Sequence, residues 1–323
     1  MESTLLSARN VKKYYPLKTG AFSRKNILVK AVDDISLDIQ KGEIFGLVGE
    51  SGCGKSTLGR ILLRFEELTS GTVMFQGENL GDFDRKKING FRRQAQMIYQ
   101  DPYSSLNPRK KIGSLIQEPL DIHRIGTLKE RKEKVHWLLE KVGLQPDQAR
   151  RYPHEFSGGQ RQRIVVARAL ALNPLLLMAD EPVSALDVSI QAQVINLLLD
   201  LREEFALTYL FISHDLSVVE HLSDRVAVMY LGKIVESADK DAFYAHPLHP
   251  YSRALLSAAP VPDLNGKKQR LILEGDVPSP INPPSGCAFH PRCPLRMPEC
   301  DKSAPELKER APGHRVACFA QTD

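Results

Sequence analysis

A glycine-rich loop set between an apolar strand and an amphipathic helix constrains this chain more than any other feature. Gly49-Glu50-Ser51-Gly52-Cys53-Gly54-Lys55-Ser56-Thr57 satisfies the phosphate-loop pattern G-x-x-x-x-G-K-[ST]. Before it, Ile44, Phe45, Leu47 and Val48 read as a short buried strand; after it, Thr57 to Phe65 reads as a helix carrying Leu58, Ile61, Leu62 and Phe65. Glycines let consecutive backbone N–H groups curl around phosphate oxygens, and the helix N-terminus adds partial positive charge. Lys55 is therefore expected on the β- and γ-phosphates of a nucleotide and Ser56 on Mg2+. Cys53 occupies a position where only the backbone is needed, so its thiol is read as incidental.

A second constellation lies far downstream. Pro174 precedes the apolar run Leu175-Leu176-Leu177-Met178-Ala179, which ends in Asp180-Glu181. This reads as a buried parallel strand delivering two acids at its C-terminal end, where ligands of such sheets bind. Asp180 is expected to support the Mg2+ shell. Glu181 is the candidate general base, polarising the water that attacks the γ-phosphate in line.

The 323 residues, 42% hydrophobic and 26% charged, are enough for one sizeable domain plus an appendage. A net charge of +5 is spread without a long basic block, which argues against nucleic acid as a partner. Met1 to Asn10 shows neither a signal-peptide nor a transit-peptide pattern, so a cytosolic chain is expected. No apolar stretch approaches the roughly 20 residues a membrane helix requires. Work at a membrane would have to pass through a partner.

Between the two constellations lies Phe156-Ser157-Gly158-Gly159-Gln160-Arg161-Gln162-Arg163, which resembles the ABC signature LSGGQ with Phe156 in the leucine position. A Ser-Gly-Gly turn opening a helix presents N–H groups to an anion by the same physics as the phosphate loop. The resemblance to ABC ATPases implies that Ser157, Gly158, Gly159 and Gln160 face ATP held by an opposing subunit. It also implies that Gln100, in Ile98-Tyr99-Gln100-Asp101-Pro102, links Mg2+ and the water to a transmembrane partner. By the same resemblance Asp187, in Ser184-Ala185-Leu186-Asp187, crosses the dimer interface, and His214 is the switch histidine on the γ-phosphate. An aromatic near the N-terminus is implied to stack on adenine; Tyr15 is assigned, with the adjacent Tyr14 as the alternative.

The expected fold class is α/β: an ABC-type P-loop ATPase with a RecA-like core, an antiparallel β subdomain, a helical subdomain and a C-terminal Cys-rich extension. The region from Leu5 to Gln40 suits an antiparallel edge, and the segments around Val48, Met178 and Ile212 supply the parallel core. Arg131 to Val142 is expected to be an amphipathic helix carrying Val135, Leu138, Leu139 and Val142, and Ser189 to Phe205 another carrying Ile190, Val194, Leu197, Leu198 and Leu201. The expected division is an ATPase domain over residues 1–240, its helical subdomain at about 101–160, and an extension over 241–323. The ATPase core should close near a hairpin over Val226 to Val235, around Gly232.

Past residue 240 prolines accumulate (Pro247, Pro250, Pro260, Pro262, Pro278, Pro280, Pro283, Pro284), and Cys287, Cys293, Cys300 and Cys318 follow at the spacing C-x5-C-x6-C-x17-C. A cytosolic setting disfavours disulfides and the spacing lacks a C-x2-C pair, leaving an iron–sulfur cluster, zinc or free thiols open. His246 to Leu256 and Pro278 to Cys287 resemble the tail of dipeptide and oligopeptide importer ATPases. The Glu50-Ser51-Gly52-Cys53 version of the phosphate loop and Ser104-Ser105-Leu106-Asn107-Pro108-Arg109 resemble that family too. That resemblance implies a [4Fe–4S] cluster on the four cysteines. It further implies a homologous sister ATPase in a heterodimer, two transmembrane permease subunits, an extracytoplasmic solute-binding protein, and a peripheral position on the cytoplasmic face of the inner membrane. Nickel or another non-peptide solute is the alternative cargo. A soluble factor acting on ribosomes or DNA, or a non-hydrolysing regulatory subunit, are the readings that one ATPase core and an intact Glu181 oppose.

Overall fold

A computed structural model describes residues 3–17, 27–258, 271, 273 and 275–320. Pro260 and Pro262 of the proline-rich stretch lie outside the described residues. The chain forms two compact units, one made of residues 1–82 together with 212–323, the other of residues 83–211.

The first unit opens with two long strands, β1 (Thr4–Leu17) and β2 (Ile27–Gln40), paired antiparallel as the N-terminal pattern predicts. Leu6 and Ala8 of β1 are wholly buried while Arg9 is exposed, the period-two pattern of a sheet with one face on a core. The alternation slips between Ala8 and Val11, where Asn10 takes φ +48° and the register shifts against both neighbouring strands. Next come β3 (Ile44–Val48), α1 (Lys55–Leu62), β4 (Ser70–Phe75) and β5 (Glu78–Asn79), and one sheet runs β2-β1-β4-β5. Every residue of β3 is buried. Helix α1 differs from its expected bounds of Thr57 to Phe65 at both ends. It begins at Lys55 because Gly54 caps it from a left-handed conformation (φ +107°), and it ends at Leu62 because Arg64 turns left-handed (φ +52°). Phe65 is consequently 43% exposed instead of lying on the buried face.

The second unit contains α2 (Arg85–Gln94), β6 (Ala95–Ile98), α3 (Pro102–Ser105), α4 (Ile112–Ile122), α5 (Leu128–Lys141), α6 (Gly158–Leu170), β7 (Leu176–Asp180), α7 (Val188–Phe205) and β8 (Thr208–Ser213), within which the chain returns to the first unit. Its strands are ordered β8-β7-β6, with β6 and β7 parallel. Residues 101–155 are helices and turns with no strand. Helix α5 starts on a capping box, in which Thr127 Oγ1 accepts from Glu130 N–H and Glu130 accepts from Thr127 N–H. Its buried stripe of Val135, Leu138 and Leu139, continued by Val142, is the one read from the sequence. Helix α7 likewise buries Val194, Leu197, Leu198 and Leu201.

The remainder of the first unit comprises α8 (Leu216–Leu222), β9 (Arg225–Tyr230), β10 (Lys233–Asp239), α9 (Lys240–Ala245), α10 (Pro250–Ala258), β11 (Lys308–Ala311) and β12 (His314–Val316). Strands β9 and β10 form the expected hairpin, its turn made by Leu231 (φ +41°) and Gly232 (φ +80°). The strand order in this unit is β11-β12-β10-β9-β3, with β9 parallel to β3 and the others antiparallel. Buried Glu236 on β10 ties the C-terminal segment down: it accepts from Leu248 N–H (2.7 Å) and His249 N–H (2.8 Å) and pairs with His314 Nε2 (2.7 Å). Burial lowers the pKa of His249 to about 4, and its Nδ1 accepts from Tyr251 N–H, which fixes a neutral ring.

Candidate functional site

The first unit holds the glycine loop between β3 and α1, the order the sequence requires. Two glycines are dictated by close approach. A Cβ at Gly49 would lie 2.2 Å from the Met229 carbonyl oxygen, and one at Gly54 would lie 2.0 Å from that of Ala31. Gly52 is left-handed too (φ +80°), but faces open space. Lys55 is buried, and its ammonium donates to the carbonyl oxygens of Gly49 (2.7 Å) and Glu50 (3.1 Å). The Cys53 thiol is buried and held protonated, since burial pushes its pKa up. Ser56 and Thr57 stand in the first turn of α1 with exposed Ser51 on the loop before them.

Of the two candidate adenine platforms, Tyr14 turns its hydroxyl to Asp33, whereas Tyr15 donates to Glu66 and stands beside Thr57 at the start of α1. Burial, followed by the Glu66 hydrogen bond, raises the Tyr15 pKa and keeps the phenol neutral. His214 follows the last residue of β8 and is exposed. Beyond it, Asp215 caps α8 through Ser217 N–H (2.9 Å).

The second unit holds the acids. All of β7 is buried, and Asp180 at its end is only 8% exposed. Glu181 follows in a left-handed conformation (φ +47°), uncommon for a residue with a side chain and a recurrent feature of functional sites. Gln100, just past β6, donates from Nε2 to Glu181 Oε2 at 3.0 Å, so two residues separated by 81 positions meet. Ser157 caps α6: its Oγ accepts from Gln160 N–H, and Gln160 Oε1 accepts from Ser157 N–H. The Gln160 side chain is thus engaged in the cap, as the Ser-x-x-Gln spacing of a capping box allows. A Cβ on Gly158 would meet Leu186 Cδ2 at an ordinary 3.4 Å, whereas one on Gly159 would come within 2.4 Å of Ile190 Cγ2, so the second glycine is also demanded by packing against α7. Asp187 caps α7 through its backbone only, and its exposed side chain makes no cap hydrogen bond.

In the C-terminal segment no disulfide joins Cys287, Cys293, Cys300 and Cys318. Cys287 N–H donates to Cys300 carbonyl oxygen (2.7 Å), closing the loop that carries Cys287 and Cys293 onto Cys300. Burial pushes the Cys287 thiol up to about 11, with the other three tail thiols adding to the shift, so the four lie within electrostatic reach of one another. Backbone N–H groups are aimed at sulfur: Phe289 at Cys287, Leu295 at Cys293, and Met297 at Cys300 Sγ (3.4 Å). Among the described residues, no group of three or more His, Cys, Asp or Glu side chains is assembled to hold a metal ion. The backbone N–H groups oppose, without reversing, the burial that keeps the Cys287 and Cys293 thiols neutral; four cysteines on one short segment are nonetheless the donor type that a thiolate-ligated centre uses.

Sequence reasoning missed two residues that touch the phosphate loop. Tyr251 Oη accepts from Glu50 N–H (2.9 Å), and Arg292 grips the Glu50 carboxylate with two hydrogen bonds of 2.9 and 3.2 Å. Neither has a local signature; Arg292 lies 242 positions from Glu50, inside the loop between Cys287 and Cys293.

Comparison with known proteins adds independent findings. Residues 32–184 match the family model for the ABC transporter, and residues 235–300 match that of the oligopeptide/dipeptide transporter C-terminal region. The chain is 57% identical over 320 residues to the oligopeptide transport ATP-binding protein AppF of Bacillus subtilis, covering 98% of this chain and 97% of that protein. It is 51% identical over 315 residues to the dipeptide transport ATP-binding protein DppF of Haemophilus influenzae, covering 98% and 96%. Among solved structures it resembles the dimeric ATP-binding cassette MJ0796 in a post-hydrolysis state bound to ADP and Pi, with a TM-score of 0.64, 28% identity, and coverage of 73% of this chain and 98% of that one.

Proposed function

This chain belongs to the ABC transporter ATP-binding family, in the branch carrying the oligopeptide/dipeptide transporter C-terminal region, and from that premise we propose that it is the ATP-hydrolysing motor of a peptide importer. The observation that carries the reading is the union, in one chain, of a phosphate loop fitted closely to its surroundings at Gly49 and Gly54 and the peptide-transporter C-terminal region. Dipeptides and oligopeptides are the proposed cargo. No helix among the described residues is long and apolar enough to cross a membrane. The proposed partners, supported by the likeness to peptide-transport ATP-binding proteins, are a homologous sister ATPase, two permease subunits and an extracytoplasmic solute-binding protein, with this chain peripheral on the cytoplasmic face.

The proposed roles combine what each residue offers with what the resemblance to ABC ATPases implies. In the first unit, Gly49 to Thr57 would supply N–H groups to the ATP phosphates, Lys55 would exchange its carbonyl oxygens for phosphate, Ser56 would offer its hydroxyl to Mg2+, Tyr15 would stack on adenine, and His214 would read the γ-phosphate. In the second, Asp180 and Gln100 support Mg2+, and Glu181 takes the proton of the attacking water. Ser157 to Gln160 and Asp187 face the opposing subunit, so that two chains closing head to tail complete each other's sites. Gln100 contacts Glu181 and lies just before the helical stretch that follows β6. It is suited to pass permease movement to the base.

Cys287, Cys293, Cys300 and Cys318 are proposed to hold a [4Fe–4S] cluster, which would staple a loop-rich segment and contribute folding energy. Reconstitution of the full chain with iron and sulfide should then give absorption near about 400 nm. A protein that instead carries zinc and develops no such band would overturn the assignment. The broader reading is tested by gentle-detergent recovery of the tagged chain from its native membranes, with metal analysis of the same sample. Two permeases and a sister ATPase are expected; recovery with ribosomes or DNA and without a membrane protein would refute it.

A further inference from the structure

The phosphate loop is held from outside by residues of the C-terminal segment, and the contact falls on the pair of residues whose carbonyls seat Lys55. Three facts converge on Gly49-Glu50. Their carbonyl oxygens accept the Lys55 ammonium at 2.7 and 3.1 Å. The Glu50 N–H is taken by Tyr251 Oη at 2.9 Å. The Glu50 carboxylate is clasped by both terminal nitrogens of Arg292, whose side chain is 8% exposed against 28% for Glu50. Neither anchor is a swinging surface group. Tyr251 is wholly buried in an aromatic cluster with Tyr230 (ring centroids 4.7 Å apart) and Phe289 (5.4 Å). Arg292 ends a short turn, His290–Arg292, whose N–H groups bond back to Cys287 and Phe289 carbonyls.

We propose that Arg292 and Tyr251 are positioning residues for nucleotide binding, which pre-set the Gly49-Glu50 backbone so that Lys55 is poised at the entrance of the phosphate cradle. A partly buried bidentate Arg–carboxylate pair fixes orientation as well as charge. A loop already ordered before ligand arrives loses less conformational freedom on binding, and that saving appears as affinity. The same pair neutralises a carboxylate beside a site that must receive a triphosphate. The cysteine-bearing segment thereby acts on the ATPase directly, through a residue located between two of its thiols.

The proposal rests on Gly49 to Thr57 being the nucleotide site; failure of the unaltered protein to bind Mg-ATP would refute that reading, whereas the variants below test only the positioning role. The assay is ATPase kinetics and binding of a fluorescent ATP analogue to the full chain in its assembled complex. Arg292→Ala should raise KM and Kd about tenfold while kcat changes less than threefold, and Arg292→Lys, which restores charge without the fork, should recover only part of the loss. In the double variant E50Q/R292A the weak binding should persist; a return to normal KM would show that the orphaned carboxylate merely repelled nucleotide and would overturn the positioning role. Tyr251→Phe, isosteric within the ring cluster, should raise KM about threefold with an unchanged melting temperature. Should Arg292→Ala fail to fold, Tyr251→Phe decides alone, and a normal KM in either folded variant overturns the proposal.

Discussion

Replacing Glu181 with Gln is expected to reduce ATP turnover by a factor of about 100 to 10,000, the range a positioned general base contributes, while leaving ATP binding intact. The substitution is close to isosteric and keeps an oxygen that can accept from Gln100 Nε2, as Glu181 Oε2 now does at 3.0 Å. The left-handed backbone at this residue (φ +47°) directs the side chain independently of its charge, so the geometry should survive. What is lost is the ability to take a proton. The substituted chain should therefore accumulate in the ATP-bound state, seen as a dimer by size-exclusion chromatography in ATP and as a protein without phosphate release. Unaltered phosphate release would show that another group activates the water.

An equally large effect is expected at Gly54. Alanine there would place Cβ 2.0 Å from the Ala31 carbonyl oxygen and 2.8 Å from Met229 Cε, at a φ of +107° that side chains avoid. The nearest obstacle is backbone and cannot rotate away, so the loop must shift out of the cradle geometry; nucleotide binding should weaken more than about a hundredfold, or roughly 3 kcal/mol. Gly52→Ala is the internal control. Its φ of +80° is also left-handed, yet nothing lies within 4 Å, so its cost should be limited to about 1–2 kcal/mol of backbone strain. Chemical denaturation and equilibrium nucleotide binding of the two variants measure the difference. Equal losses would mean that the close approach to Ala31 does not govern the loop.

These contrasts also show where the sequence was transparent. The glycine loop, the buried strand ending in Asp180, the stripe on α5 and the hairpin around Gly232 were legible because each is written in local spacing. The end of α1 was not, since Phe65 continues the apolar period while Arg64 breaks it by adopting a conformation that no residue type announces. Gly159 read as an anion-facing glycine, but its second reason is Ile190, and the two are joined only by folding. Tyr14 and Tyr15 are indistinguishable by residue type; their hydrogen bonds to Asp33 and Glu66 send them to different neighbours. The contact between Arg292 and Glu50 was the least legible of all, because a single arginine in a loop carries no periodic signal.

The discontinuous make-up of the first unit has a consequence for biosynthesis. The second unit, residues 83–211, is contiguous and can be completed while the ribosome is still at work. The first cannot: β3 waits for β9 as its parallel neighbour, β10 waits for β12, and Glu50 waits for an arginine 242 residues further on. At roughly 5–20 residues per second, that last interval is on the order of 10 to 50 seconds. Through it the nascent glycine loop exists without its external brace, and from the completion of β10 until β12 emerges the edge of β10 stands open to any other strand, so chaperone protection has most to offer late in synthesis.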